Sequence, residues 1–202
     1  MIETIIPREA ESEDRAAFKS MEAALRFALG NQYIADPGTL ARFQRRTHRV
    51  TSIFDDKIER AAWAGDIRRR IGTMHPHRVA ILFVRYAPRS FPCSCRRPCC
   101  SGWAVNEEWQ ENLALIVDAA ATAVAGKVSN RQLRMGVVRR WCGADKVNIG
   151  LLADKCGVHR NTAGEHAKLI RKWLDALLYA AESEADACLR GAPIGATGVR
   201  IA

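Results

Sequence analysis

The sequence predicts a mainly α protein: a helical bundle with a C-terminal helix-turn-helix and a cysteine-rich metal-binding loop. Three observations carry that expectation. Apolar residues recur at spacings of three and four along most of the chain. Residues 151–169 read as two helices around a central Gly157. Cys93, Cys95, Cys99 and Cys100 place four thiols within eight residues. The expected division is a helical N-terminal region over 1–92, the cysteine-rich loop over 93–103, a helix-turn-helix region over 104–190 and a flexible tail over 191–202.

In chain order, residues 11–29 bring Phe18, Met21, Leu25 and Ala28 to helical spacing with charges between them, an amphipathic helix that Gly30 and Asn31 end. Asp36-Pro37-Gly38 marks a turn. The basic run Arg42, Arg45, Arg46 and Arg49 after it reads as a solvated helix face. Asp55 and Asp56 suit the first turn of a helix reaching Ile71, and Arg68, Arg69 and Arg70 suit its last turn, where they complement the macrodipole. Gly72 stops it. Val79 to Val84 form an apolar run that fits a buried strand or a buried helix, and helix is preferred because no partner strand is evident.

Beyond the cysteines, Asn106 can cap a helix whose buried stripe is Trp109, Leu113, Ile116, Ala120 and Val124. Ser129 or Asn130 caps the next, with Leu133, Val137 and Trp141 on one face. Asn148 caps a short helix that buries Leu151, Leu152 and Val158, while Ala153 is small enough for close crossing and Gly157 supplies a turn with positive φ. The last helix starts near Arg160 and continues to Leu189. Its row Ala167, Ile170, Leu174, Leu177 and Ala181 packs onto the same chain or pairs with a second one.

The chain has 202 residues, 48% of them hydrophobic, enough for a real core. A net charge of +9 favours an anionic partner, and nucleic acid is the commonest. Between Lys127 and Trp173 stand eleven Lys or Arg against three acids, so eight of the nine net charges fall on this segment. The N-terminus lacks the basic lead and apolar core of a signal peptide, and no stretch approaches a membrane span of about 20 residues. Seven cysteines then point to a reducing cytoplasm.

In that compartment clustered thiols bind metal more often than they pair. A structural zinc on Cys93, Cys95, Cys99 and Cys100 is the leading reading, ahead of an iron-sulfur cluster or a metal-free redox cluster. Because adjacent Cys99 and Cys100 strain to reach one ion, three cysteines with His75 or His77 form a variant. Cys142, Cys156 and Cys188 read as small core residues. Four sulfurs make a closed site, and the chain has no phosphate-cradling glycine loop and no nucleophilic serine motif, so no enzyme is expected.

In the proposed recognition helix, Arg160 suits guanine, Asn161 adenine or a phosphate, and Glu165 a cytosine amino group or an intrahelical pair with Lys168. Thr162, Lys168 and Arg171 suit phosphates, and His159 at the head of the helix completes the DNA-contacting set. His166 reads as an ordinary helix residue. The words Gly157-Val158-His159-Arg160-Asn161-Thr162 and Glu165-His166 resemble the turn and recognition helix of bacterial helix-turn-helix regulators, in which Gly-Val-Ser-Arg-Asn-Thr-Val is common. His159 stands where that pattern has a capping serine, and Ala163 where it has a larger residue, so Trp141 or Trp173 is expected to fill the gap.

The architecture is also similar to the late-gene antiterminators of lambdoid phages. That resemblance implies double-stranded DNA and RNA polymerase as partners and the cytoplasm of a bacterial host. A dimeric promoter-binding repressor or activator is the nearest alternative, and a phage terminase small subunit the next.

Overall fold

The computed structural model describes residues 18, 20–30, 57–93, 101–125, 127 and 129–190, and it is mainly helical. The elements are α1 (Met21–Gly30), α2 (Lys57–Ile71), α3 (Pro76–Tyr86), β1 (Ser90–Pro92), β2 (Trp103–Val105), α4 (Glu107–Ala119), a 3-10 turn at Thr122–Val124, α5 (Arg131–Trp141), α6 (Ile149–Lys155) and α7 (Arg160–Leu189). The turn at 36–38, the basic run of Arg42, Arg45, Arg46 and Arg49, Asp55, Asp56 and the 191–202 tail lie outside the described residues.

α3 resolves the ambiguous apolar run as a helix. Pro76 occupies its first turn, where no intrahelical donor is needed, and His75 caps it by accepting at Nδ1 from the His77 amide at 3.3 Å. Ala80, Ile81, Leu82, Phe83, Val84 and Tyr86 are all buried, so this helix is covered on most sides. α1 and α4 pack beside it, and α7 crosses it.

Asn106 caps α4 as expected, accepting from the Trp109 amide at 3.2 Å. Its Nδ2 donates to the Pro88 carbonyl at 2.7 Å, tying the helix start to the segment before β1. The whole predicted stripe from Trp109 to Val124 is buried. The helix nevertheless ends at Ala119, and Ala120 and Val124 reach the core through the cap and the 3-10 turn.

One cluster joins most of the molecule. Leu25, Trp63, Ile67, Ile81, Leu82, Ile116, Val138, Ile170, Leu174 and Leu189 belong to it, so the 1–92 segment and the 104–190 segment share a core. At about 1.5–3 kcal/mol for each large side chain removed from water, this cluster dominates the stabilisation. Polar ties surround it. Arg68 donates to the Ala28 carbonyl at 2.9 Å and pairs with Glu108 at 2.9 Å, linking α1, α2 and α4. Arg69 and Arg70 both bind Asp66. These arginines therefore make specific contacts in addition to their favourable place at the helix end.

Two expectations are corrected. Leu151, expected inside, is 60% exposed, because α6 turns Ala153 inward and Leu151 lies on the opposite side. A two-stranded antiparallel hairpin, absent from the sequence reading, pairs Ser90 with Val105, Phe91 with Ala104 and Pro92 with Trp103. Strands of three residues are too short to register as alternation.

Candidate nucleic-acid interface

α5, α6 and the start of α7 form a compact three-helix unit whose caps are supplied by short polar side chains. Asn130 Oδ1 accepts from the amides of Gln132 and Leu133 at 2.8 and 3.2 Å, and its Nδ2 donates to the Cys156 carbonyl at 3.4 Å. One residue thus starts α5 and pins the turn between α6 and α7. Asn148 caps α6 through the Gly150 and Leu151 amides at 2.9 and 3.2 Å.

At the other end of α6, the Val158 amide donates to the Ala153 carbonyl at 3.0 Å and the Gly157 amide to the Asp154 carbonyl at 3.2 Å. With Gly157 at φ 64° this is the left-handed helix stop that glycine permits. His159 then caps α7, its Nδ1 accepting from the Asn161 amide at 3.3 Å. The imidazole performs the task expected of a serine.

Ala153 and Ala163 are fully buried against each other's helices in a small cluster with Leu133, flanked by Ile149, Leu152, Cys156 and Val158. Leu133 and these flanking residues take up the space expected of Trp141 or Trp173. Both tryptophans pack on the main core instead, and Trp141 donates from Nε1 to Asp175 at 2.7 Å. Close docking also depends on Gly136, where a Cβ would stand 2.2 Å from Leu152 Cδ2. The sequence reading missed this glycine, because a helix-interior glycine carries no pattern of its own.

α7 buries Ala163, His166, Ile170 and Leu174. Its opposite side therefore presents Asn161, Glu165, Lys168 and Lys172, and Arg160, Thr162 and Arg171 are exposed beside them. Every predicted DNA-contacting residue is exposed, His159 included, and all seven lie within the first four turns of α7 and its cap. His166 differs from its expected ordinary character. It is only 2% exposed, and its Nε2 has no hydrogen-bond partner among the described residues.

Two ion pairs bear on the exposed face. Arg160 binds Asp154 through two hydrogen bonds, Nε at 3.0 Å and a terminal nitrogen at 2.6 Å. The hydrogen bond holds the Asp154 carboxyl below the usual carboxylate range and raises the guanidinium correspondingly. Glu165 pairs with Lys127 at 3.5 Å, rather than with Lys168 on its own helix.

Of the four predicted zinc ligands, Cys93 is described and half-buried, and Cys95, Cys99 and Cys100 lie outside the described residues. The Cys93 amide donates to the Gly102 carbonyl at 2.8 Å, closing the hairpin at the base of the cysteine loop. His75 Nδ1 is engaged as a cap, which leaves only its Nε2 for any metal. Among the described residues no group of three or more His, Cys, Asp or Glu is arranged to hold an ion. Cys142, Cys156 and Cys188 are half-buried, and burial raises the Cys142 thiol above its ordinary pKa. Among the described residues no helix is long and apolar enough to cross a membrane.

Compared with protein-family models, with curated proteins and with solved structures, the chain matches none.

Proposed function

We propose that this chain is a DNA-binding transcription regulator that reads the major groove of double-stranded DNA with the N-terminal part of α7. The observation that carries the reading is the mounting of that helix. Ala153 and Ala163 let α6 and α7 cross closely, Gly157 aims α7 outward, and its exposed start carries Arg160, Asn161, Thr162, Glu165, Lys168 and Arg171.

In this reading Arg160 addresses guanine, Asn161 adenine, and Glu165 a cytosine amino group once Lys127 turns to phosphate. Thr162, Lys168 and Arg171 contact phosphates, and His159 serves as the cap. The test is the double variant Arg160→Ala with Asn161→Ala, measured on a duplex selected by the wild-type protein. Loss of discrimination between that duplex and an unrelated one is expected. Unchanged affinity and discrimination would overturn the assignment of α7.

We take the regulator to be of the antiterminator type, acting on RNA polymerase as a monomer, with zinc held by Cys93, Cys95, Cys99 and Cys100. The support for a monomer is that Ile170, Leu174 and Ala181 are buried within the same chain, with Ala167 and Leu177 partly buried against the same core, which engages the apolar row that a helix-paired dimer would need. Mass in solution tests it. A dimer would transfer the reading to a promoter-binding repressor or activator, and a ring to a terminase small subunit. Elemental analysis of the purified protein should find about one zinc per chain, and less than about half would overturn the metal.

A further inference from the structure

We infer that the cleft between the end of α5, the 143–150 segment and the flank of α7 seats one phosphodiester strand of the DNA duplex. The inference rests on the DNA-binding reading and extends it to Arg140 and Lys146, which the sequence assigned to no site. Two concavities meet here. One, of about 740 Å³, is lined by Arg140, Lys146, Asn148 and Ile149 among others. The second, of about 290 Å³ and more enclosed, lies between α5 and α7 and is lined by Val137, Arg140, Ile149, Lys168 and Arg171 among others. Arg140 and Ile149 line both, so the two form one groove.

Its charge is one-sided. Arg140, Lys146, Lys168 and Arg171 converge from three separate segments, and the acid in the lining, Asp145, lies 2.7 Å from Arg139 and is neutralised by it. Elsewhere most of the described cations are matched: Arg68 with Glu108, Arg69 and Arg70 with Asp66, Arg131 with Asp118, Arg160 with Asp154. Arg85 lies over Trp141, and Arg89 and Arg134 donate to backbone carbonyls. Among the described residues, the cations with no carboxylate, carbonyl or ring partner are Arg140, Lys146, Lys155, Lys168, Arg171 and Lys172, and four of these six line the groove. Unpaired like charges gathered along a concave surface focus potential onto an anion, whereas a solubilising surface intersperses both signs.

The shape favours a polymer over a small molecule. A small-ligand pocket encloses most of its occupant, but these four cations are exposed along an open channel. The floor between them includes Val137, Ile149 and Ala167. A deoxyribose-phosphate strand presents alternating anionic and apolar faces that match such a surface. Lys168 and Arg171 are shared with α7, so a strand in the groove lies beside the recognition face.

The test uses the full chain with Arg140→Gln and Lys146→Gln combined. Both side chains are exposed and lie outside α7, so base contacts by Arg160 and Asn161 are left in place. Affinity for the selected duplex and for an unrelated one should fall by the same factor. The slope of log affinity against log salt should also become shallower by about 1.8, at about 0.9 per phosphate contact. An unchanged slope overturns the groove and leaves duplex binding by α7 standing.

A second arm needs no duplex: a short oligothymidylate titrated into isotopically labelled protein. Shifts at the amides of Val137, Ile149 and Ala167 that the double variant abolishes support the groove, and their absence overturns it. If those shifts occur while the wild-type protein binds no duplex, the groove stands and the base-reading role of α7 falls.

Discussion

Replacing Gly136 with alanine probes the contact that sets the angle between α5 and α6, and the geometry supplies the magnitude. A Cβ built on Gly136 lies 2.2 Å from Leu152 Cδ2, against the 3.5–4.0 Å of an ordinary carbon contact. An overlap of more than about 1 Å forces Leu152 to move, and overpacking of this kind costs about 1–3 kcal/mol. Against that, alanine gains about 1 kcal/mol of helix propensity over glycine in a helix interior. The net expectation is a loss of about 0–2 kcal/mol.

An internal standard removes the ambiguity of that small net value. Gly65 lies inside α2 with nothing within 4 Å of a built Cβ, so Gly65→Ala should show the propensity gain alone, about 1 kcal/mol of added stability. The difference between the two alanine variants then isolates the clash. A third variant closes the cycle: in a Leu152→Ala background the obstructing methyl is gone, and Gly136→Ala should become stabilising. Urea unfolding followed by far-UV circular dichroism measures all five proteins, the wild type and Leu152→Ala included, with a coupling of about 1–3 kcal/mol expected between positions 136 and 152. If Gly136→Ala alone stabilises as much as Gly65→Ala, with no coupling to Leu152, the close approach of α5 and α6 is wrong, and the mounting of α7 with it.

Three further expectations follow from individual contacts. Asn106→Ala removes the cap of α4 and leaves the Pro88 carbonyl without its donor, which should lower stability by about 1–2 kcal/mol in the same unfolding assay. Asp66 is pushed up by burial, but hydrogen bonds from Arg69 and Arg70 outweigh that and hold it below the usual carboxylate range. Its contribution is therefore present above the ordinary carboxylate pKa and lost as pH falls through the depressed value, so Asp66→Asn should flatten the acid limb of a stability-against-pH curve. Asp154→Asn should free Arg160 and remove a negative charge beside the DNA face, raising affinity for the selected duplex and for unrelated ones at low salt; equal affinities for the two proteins would contradict a competition between Asp154 and DNA for Arg160.

Most helices were legible in the sequence because their caps are local. Asn106, Asn130 and Asn148 stand one residue before the helices they start, and each makes the expected bond to the amides of its first turn. The long apolar rows of α4 and α7 were legible for a similar reason, since burial at spacings of three and four needs no knowledge of the partner. What escaped was pairwise. Leu151 and Leu152 are neighbours of one chemical type, and which faces inward depends on where α5 lies. Gly136 matters only through Leu152, and Lys127 reaches Glu165 across 38 positions. The exposed residues of α7 could be named in advance because they follow from the buried ones by helical geometry, whereas the groove could not. Lys168 and Arg171 share a helix, but no spacing in the chain joins them to Arg140 or Lys146, and the four come together only when α5 and α7 pack around Ile149.

α7 ties these two kinds of information together. It is 30 residues long, roughly 45 Å at 1.5 Å per residue, and only its segment from Arg160 to Arg171 carries the candidate interface. The remainder is fixed along its length. Ile170, Leu174, Ala181, Ala185 and Leu189 lie in the core, Asp175 accepts from Trp141, and Glu182 and Glu184 bind Tyr86 and Arg78 of α3. Burial is the first cause that lifts the Tyr86 hydroxyl well above its ordinary pKa, with the Glu182 bond adding to it, so this link stays protonated across the physiological range. A helix anchored in the core along this length, with its start docked on α5 and α6 through Ala163, cannot swivel without disturbing that packing. The orientation of Arg160 and Asn161 is therefore set by α5 and α6 near the helix start and by α3 further along, and substitutions at Tyr86 or Arg78, remote from that start, should alter DNA affinity only to the extent that they lower stability.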